Sequence, residues 1–257
     1  MLVTIVTPSF NSSKFISRTI SSVRTQSISD WEMIIVDDCS TDDTVEIVRR
    51  FNKEDPRIKL IELTTNSGAA VARNVAIQAS QGRYIAFLDS DDLWKPNKLK
   101  RQIEFMENNG YRFTYTGYNR INEFGENMVS LNVPNKVSYN DLLKMCVIGC
   151  LTAVYDSNFY GRIEMPLIKK RQDWGLWLRL LKVSDYAYGL DEDLASYRTH
   201  DESISANKFN AASYTWRLYR DCEKLSFLKA SYYFSHYAAR GFLRHKLPSL
   251  AKILGIL

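Results

Sequence analysis

Through the first 110 positions, short apolar runs alternate with amphipathic stretches, and each run stops at a polar cluster. Val3-Thr4-Ile5-Val6, Trp31-Glu32-Met33-Ile34-Ile35-Val36, Ile58 to Leu63 and Tyr84-Ile85-Ala86-Phe87-Leu88 read as buried strands. Between and after them, Ile16/Ile20/Val23, Val45/Val48/Phe51, Val71/Val75/Ala79 and Leu99/Ile103/Met106 recur close to helical spacing. Thr41-Asp42-Asp43-Thr44 offers N-caps to the second of these helices. Four strand–helix units predict an α/β fold, with a parallel sheet wound by right-handed crossovers. In such sheets ligands bind beyond the carboxyl ends of the strands. The polar clusters fall at that edge: Thr7-Pro8-Ser9-Phe10-Asn11, Asp37-Asp38-Cys39-Ser40, Asn66-Ser67-Gly68 with Arg73, and Asp89-Ser90-Asp91-Asp92.

Beyond Tyr111 the pattern loosens. Tyr111 to Ile121 and Leu151 to Tyr155 read as strands, with a turn at Glu123-Phe124-Gly125-Glu126-Asn127. Trp174, Trp177, Leu178 and Leu181 then mark a helix with a broad apolar face and Asp173 at its start, where a carboxylate also suits a helix cap. The organisation expected is a first half over 1–110, a second half of the same domain over 111–205, and a helical extension over 206–257.

Charge alters the picture only in that extension. The 257 residues are 45% hydrophobic and 25% charged with a net charge of +5, an ordinary globular balance. From Lys224 to Leu257 there are six Lys/Arg and no Asp/Glu, leaving 28 basic against 29 acidic residues before it. Tyr232, Tyr233, Phe234, Tyr237, Phe242, Leu243, Leu247 and Leu250 share that stretch. Basic, aromatic and leucine residues without acid suit an anionic membrane surface. A helix packed on its own domain, or on a second subunit as a homodimer, is the equal alternative. No nucleic-acid module is recognisable. Met1 leads straight into a strand, and no apolar run has transmembrane length. Of the four cysteines only Cys146 and Cys150 are close, and no histidine lies near them, so reduced thiols in a cytoplasmic protein are expected rather than a zinc site.

The densest chemistry is Asp89-Ser90-Asp91-Asp92. Three carboxylates at a strand end repel one another unless a cation sits among them, and oxygens at i and i+2 suit a hard ion such as Mg²⁺ or Mn²⁺ that keeps positions open for phosphates. A solvated turn capping the next helix is the plainer reading. No Gly-x-Gly-x-x-Gly or Gly-x-x-x-x-Gly-Lys-Ser/Thr follows the first strand, which argues against a dinucleotide dehydrogenase and a P-loop enzyme.

Taken in order, Thr7-Pro8-Ser9-Phe10-Asn11, Val36-Asp37-Asp38-Cys39-Ser40-Thr41-Asp42-Asp43-Thr44, Asn66-Ser67-Gly68 with Ala72-Arg73-Asn74, Leu88-Asp89-Ser90-Asp91-Asp92 and Gln172-Asp173-Trp174 resemble the motifs of family 2 glycosyltransferases of the GT-A fold, over residues 3–205. The resemblance implies a Rossmann-like, mostly parallel sheet with helices on both faces. It also implies inverting transfer from a nucleotide-sugar, most simply a UDP-sugar, to a hydroxyl of a cell-surface glycan on a polyprenyl carrier, at the inner face of the membrane. By that resemblance Asp38 accepts from uracil, with Thr7, Pro8 and Phe10 lining the base and Asn66, Gly68 and Arg73 near the nucleotide. Asp89 and Ser90 lie by the ribose or sugar, and Asp91 holds Mn²⁺ or Mg²⁺. His200 sits where some relatives supply a late metal or diphosphate ligand, and a plain loop histidine is its alternative. Asp173 resembles the catalytic base, although the family often has Glu-Asp where this chain has Gln172-Asp173. A sugar nucleotidyltransferase would need a glycine-rich, basic loop after strand one. A non-catalytic binding module would have lost the carboxylates.

Overall fold

In the computed structural model, residues 1–199 and 208–246 are described; His200 lies outside them. The chain begins with β1 (Val3–Ser9), α1 (Ile16–Arg24), β2 (Trp31–Asp37), α2 (Thr44–Glu54), β3 (Ile58–Glu62), α3 (Ala69–Ala79) and β4 (Tyr84–Phe87). A two-residue β5 (Leu93–Trp94) precedes α4 (Lys98–Asn109), followed by β6 (Phe113–Ile121), β7 (Asn127–Leu131) and β8 (Lys136–Val137). Then come α5 (Tyr139–Lys144), a 3₁₀ turn (Cys150–Thr152), β9 (Val154–Asp156), α6 (Ser157–Tyr160), α7 (Gln172–Leu180) and β10 (Ala187–Arg198). A last helical section comprises α8 (Lys208–Arg217), a π-helical stretch (Leu218–Cys222) and α9 (Phe227–Lys246).

One sheet joins the two halves in the order β3-β2-β1-β4-β9-β6-β10-β5. β3, β2, β1 and β4 are parallel, as the alternating pattern requires. β9 is antiparallel to both β4 and β6, and β10 returns parallel to β6. Helices cover both faces in two apolar layers. One is built on Ile16, Ile20, Val48, Leu99 and Ile103, the other on Ala72, Ala76, Phe113, Trp174 and Trp177. Among the described residues no helix is long and apolar enough to cross a membrane. All four cysteines are free thiols.

Three local expectations need correction. α3 turns Ala72, Arg73, Asn74, Ala76 and Ile77 inward, whereas Val71 and Val75 are half-buried and Ala79 is exposed. Small side chains let α3 approach the sheet closely, so its packing face is marked by alanines rather than by the valines. Thr7 and Pro8 lie within β1, not in a loop. Proline is tolerated there because β4 stops opposite Val6, so the flank of Pro8 beyond it has no ladder bond to lose. Leu151 belongs to the 3₁₀ turn, and the strand starts only at Val154.

At the amino end of the sheet, away from the polar rim, Glu32 is fully buried. Its carboxylate accepts from Thr4 Oγ1 (2.6 Å), Gln81 N (2.7 Å) and Lys59 Nζ (2.6 Å). The same Thr4 hydroxyl accepts from Gly82 N, and a Cβ at Gly82 would meet the Thr4 backbone nitrogen at 2.4 Å. Burial opposes ionisation of Glu32, but the bonds from Lys59, Thr4 and Gln81 prevail and hold its carboxyl below the usual value of 4.5. Its folded pKa is therefore depressed, and the stabilisation it gives is present above about pH 4.5 and lost as pH falls through the folded value. Glu32→Gln is expected to cost about 1–3 kcal/mol at neutral pH. In chemical denaturation at a series of pH values, the gap to the parent should close in acid.

Candidate active site

The polar rim is built by loops that bond to one another. After β2, Asp37 turns back on Ser40, accepting from its N (2.8 Å) and Oγ (2.5 Å). Ser40 Oγ in turn accepts from Asn11 N, while Asn11, in the left-handed region at φ 46°, accepts from Thr41 N at 2.8 Å. Asp38 is nearly buried, and its two oxygens accept from Ser67 N and Gly68 N, each at 2.7 Å. Asn66 Nδ2 donates to the Asp38 carbonyl at 3.1 Å. Asp38 thus ties the loop after β3 to the loop after β2. Gly68, at φ 91°, opens α3 in a conformation that suits glycine. Of the three residues expected to line a base, Thr7 and Pro8 are buried and Phe10 is about half exposed.

The acidic turn after β4 is held from four directions. Asp92 N donates to the Asp89 carbonyl at 3.1 Å, closing the turn. Thr19 Oγ1 lies 2.9 Å from both the Ser90 and Asp92 carbonyls, sharing its single proton between them. Ser90 Oγ meets Ser12 Oγ at 2.7 Å. Arg198, at the end of β10, donates N–H to Asp92 Oδ1 and Nε–H to the Asp91 carbonyl, both at 2.8 Å. Neither Asp91 nor Asp92 caps α4, whose cap position is Asn97, with no side-chain cap bond. Asp92 is buried, and burial followed by the charges of Asp91 and Asp89 drives its pKa well up. The turn carries the electrostatic crowding that its sequence implies.

Arg73 is not a surface arginine. It is buried on the inner side of α3 and donates Nη2–H to Asp89 Oδ1 at 2.5 Å. Burial works against its charge, but Asp89 above all, and also Asp173, hold the guanidinium above its ordinary range. The Cys150 thiol lies in the same field: burial raises its pKa, Asp89 and Asp173 push the same way, and Arg73 opposes them. Asp89 from the acidic turn and Asp173 from α7 therefore act on the same two groups, Arg73 and Cys150. Among the described residues no three His, Cys, Asp or Glu side chains are grouped to hold a metal ion.

Asp173 is half-buried in the first turn of α7 and is not its cap. The cap position belongs to Arg171, at φ 67°, with no side-chain cap bond. Arg171 Nη2 donates to Tyr237 Oη of α9 at 3.1 Å, and the Tyr237 ring lies 6.0 Å from that of Trp174. The helical extension thus braces the residues on either side of Gln172-Asp173. Tyr237→Phe is expected to lower kcat about five-fold by loosening this start of α7, the worth of one hydrogen bond, with little change in KM. Steady-state kinetics reads that split.

Sequence reasoning passed over Arg198 and Tyr237. Arg198 lies two positions before His200 in sequence, but only its burial and its bonds to the acidic turn reveal its part. It also donates Nη1–H to the carbonyls of Asn122 and Glu123 (3.1 and 3.0 Å), locking the β6–β7 turn beside the site.

Comparison with known proteins agrees with this architecture. The family model described as glycosyl transferase family 2 matches residues 4–162. A Bacillus subtilis protein, TuaG, named for glycosyl transfer in teichuronic acid biosynthesis, is 49% identical over 92% of this chain and 94% of its own length. The Escherichia coli protein WfgD, named a UDP-Glc:alpha-D-GlcNAc-diphosphoundecaprenol beta-1,3-glucosyltransferase, is 40% identical over 95% of each chain. Among solved structures, Staphylococcus aureus TarS 1–349 in complex with UDP-GlcNAc superposes with a TM-score of 0.73 at 20% identity, covering 97% of this chain and 76% of that one. The chain is a member of glycosyltransferase family 2, with the α/β fold of that family and a helical C-terminal section packed on it.

Proposed function

We propose that this glycosyltransferase is inverting and metal-assisted, and moves a sugar from a UDP-sugar to a hydroxyl of a growing cell-surface glycan carried on a polyprenyl diphosphate. The observation that carries the reading is the buried ion pair of Arg73 with Asp89, which ties α3 to the acidic turn at the carboxyl edge of the sheet, where an α/β fold takes its ligand. The charge of Asp173, on α7, also bears on Arg73 and Cys150, which supports a place for its carboxylate near that turn.

Asp173 accepts the proton of the acceptor hydroxyl as that oxygen forms its bond to the anomeric carbon. The bond from that carbon to the diphosphate oxygen breaks on the opposite face, and its electron pair leaves with UDP. An α-linked donor therefore yields a β-linked product. Asp38 and Phe10 hold the uracil, with Asn66 and Gly68 shaping the loop beneath it. Both Asp38 oxygens already accept backbone N–H groups, and each retains a second lone pair for the imide N–H of the base. Arg73 fixes Asp89 in place for ribose or sugar hydroxyls, beside Ser90.

The donor set fits a hard cation that completes its shell with substrate oxygens. Asp91 offers one carboxylate in a crowded acidic turn, and Mg²⁺ or Mn²⁺ commonly binds through one or two carboxylates plus phosphates. When bound, such an ion neutralises charge on the departing diphosphate. The names of the relatives support a UDP-sugar donor and a diphosphate-linked lipid acceptor, and the free cysteines suit a reducing, cytoplasmic setting.

A panel of UDP-, GDP- and dTDP-sugars, offered with a GlcNAc-diphospho-lipid analogue, tests the reading. UDP release with a β-linked product is expected. Transfer from a non-uridine donor alone, or a product with retained configuration, would contradict it.

A further inference from the structure

We propose that α9 docks the chain on an anionic lipid surface, a role independent of the chemistry of sugar transfer. The helix has two different faces. Inward, Ala230 is buried, Tyr233 donates to Asn140 Oδ1 at 2.8 Å, Phe234 lies edge-on to Trp216 at 5.6 Å, and Tyr237 holds Arg171. That face is satisfied by its own domain. Outward, Leu228 is 80% exposed, Tyr232 54% and Phe242 60%, and with Ala239 they follow helical spacing along one stripe. Phe227, 65% exposed, extends the apolar surface at the start of the helix.

Cations border this stripe. Lys229 and Lys246 are exposed and Arg240 is half-buried, and no acid occurs anywhere from Lys224 to Leu257. Beside the stripe, a groove of about 350 Å³ between α5 and α9 is lined by Tyr139, Leu143, Leu225, Leu228, Lys229 and Tyr232. It puts exposed Lys229 beside aromatic and aliphatic side chains, a combination suited to an anionic headgroup and its acyl chains. A second copy of this chain fits less well. An isologous contact would set two acid-free, basic helices against each other, whereas an anionic surface neutralises them.

Flotation of the whole chain with phosphatidylglycerol-containing vesicles and with pure phosphatidylcholine vesicles tests the assignment. Binding should favour the anionic vesicles and weaken in high salt. The pair Lys229→Ala and Lys246→Ala should lower vesicle affinity about 30-fold, at about five-fold per charge. The pair Leu228→Ser and Phe242→Ser should lower it at least about ten-fold. Both pairs should keep the thermal midpoint and UDP affinity of the parent, which separates surface binding from folding. Equal binding to neutral vesicles, or variants that bind as the parent does, would overturn the proposal. So would a dimer in sedimentation velocity that the Leu228/Phe242 pair abolishes, without vesicle binding. The vesicle-binding and sedimentation readouts use neither donor nor acceptor, so their failure leaves the transferase reading untouched.

Discussion

Asp173→Asn should leave a protein that binds UDP as the parent does and transfers sugar roughly 10²–10⁴-fold more slowly. The replacement is nearly isosteric and removes no cap, because the cap position of α7 belongs to Arg171 rather than Asp173. Arg73 keeps its ion pair with Asp89, so the donor side stays organised. What disappears is the group able to take the proton of the acceptor hydroxyl. The loss belongs in kcat, with donor KM almost unchanged. Steady-state UDP release and calorimetry of UDP binding measure the two halves separately. Transfer near the parental rate would remove Asp173 from the chemistry.

Asp91→Ala is the second large effect, and its signature differs. Donor binding should lose its dependence on Mn²⁺ or Mg²⁺, and kcat/KM should fall by roughly 10²–10³-fold, as when a charge-stabilising group is deleted. The turn itself is held through the Asp91 carbonyl, which accepts from Arg198, and through Ser90 and Asp92. Removing one of three crowded acids relieves the raised pKa of Asp92, while the Arg198 guanidinium loses a charge that favours it. A variant that unfolds early, or that still needs metal to bind UDP, would show that Asp91 has another part.

The first half of the fold was readable because each element carried its own periodicity. Strands buried on both faces appear as unbroken apolar runs, and α4 shows Leu99, Ile103 and Met106 on one face. α3 misled because alanines carry its packing and two polar side chains, Arg73 and Asn74, are buried in it. Asn74 is spent on the backbone of Met165, 91 positions away, which no local spacing announces. The second half of the sheet was less legible for a related reason. β9 has three residues and β5 two, and the pairing of β10 with β6 shifts register twice. Among site residues, the acidic turn and Asp38 were legible as clusters at strand ends. Their supports were not: Arg198 meets Asp92 across 106 positions and Tyr237 meets Arg171 across 66. The extension shows both of the features its composition suggested, a face packed on its own domain and a face of exposed apolar and basic residues.

The central claim is that the acidic turn and Asp173 face one another across a single donor site. A crystal grown with Mn²⁺ and a UDP-sugar, read by anomalous scattering from the manganese, tests it most directly. Manganese should be found at the Asp91 carboxylate, with the UDP-sugar beside it and the Asp173 carboxylate lining the same pocket. Manganese bound away from Asp91, or UDP seated with Asp173 outside the pocket, would contradict it.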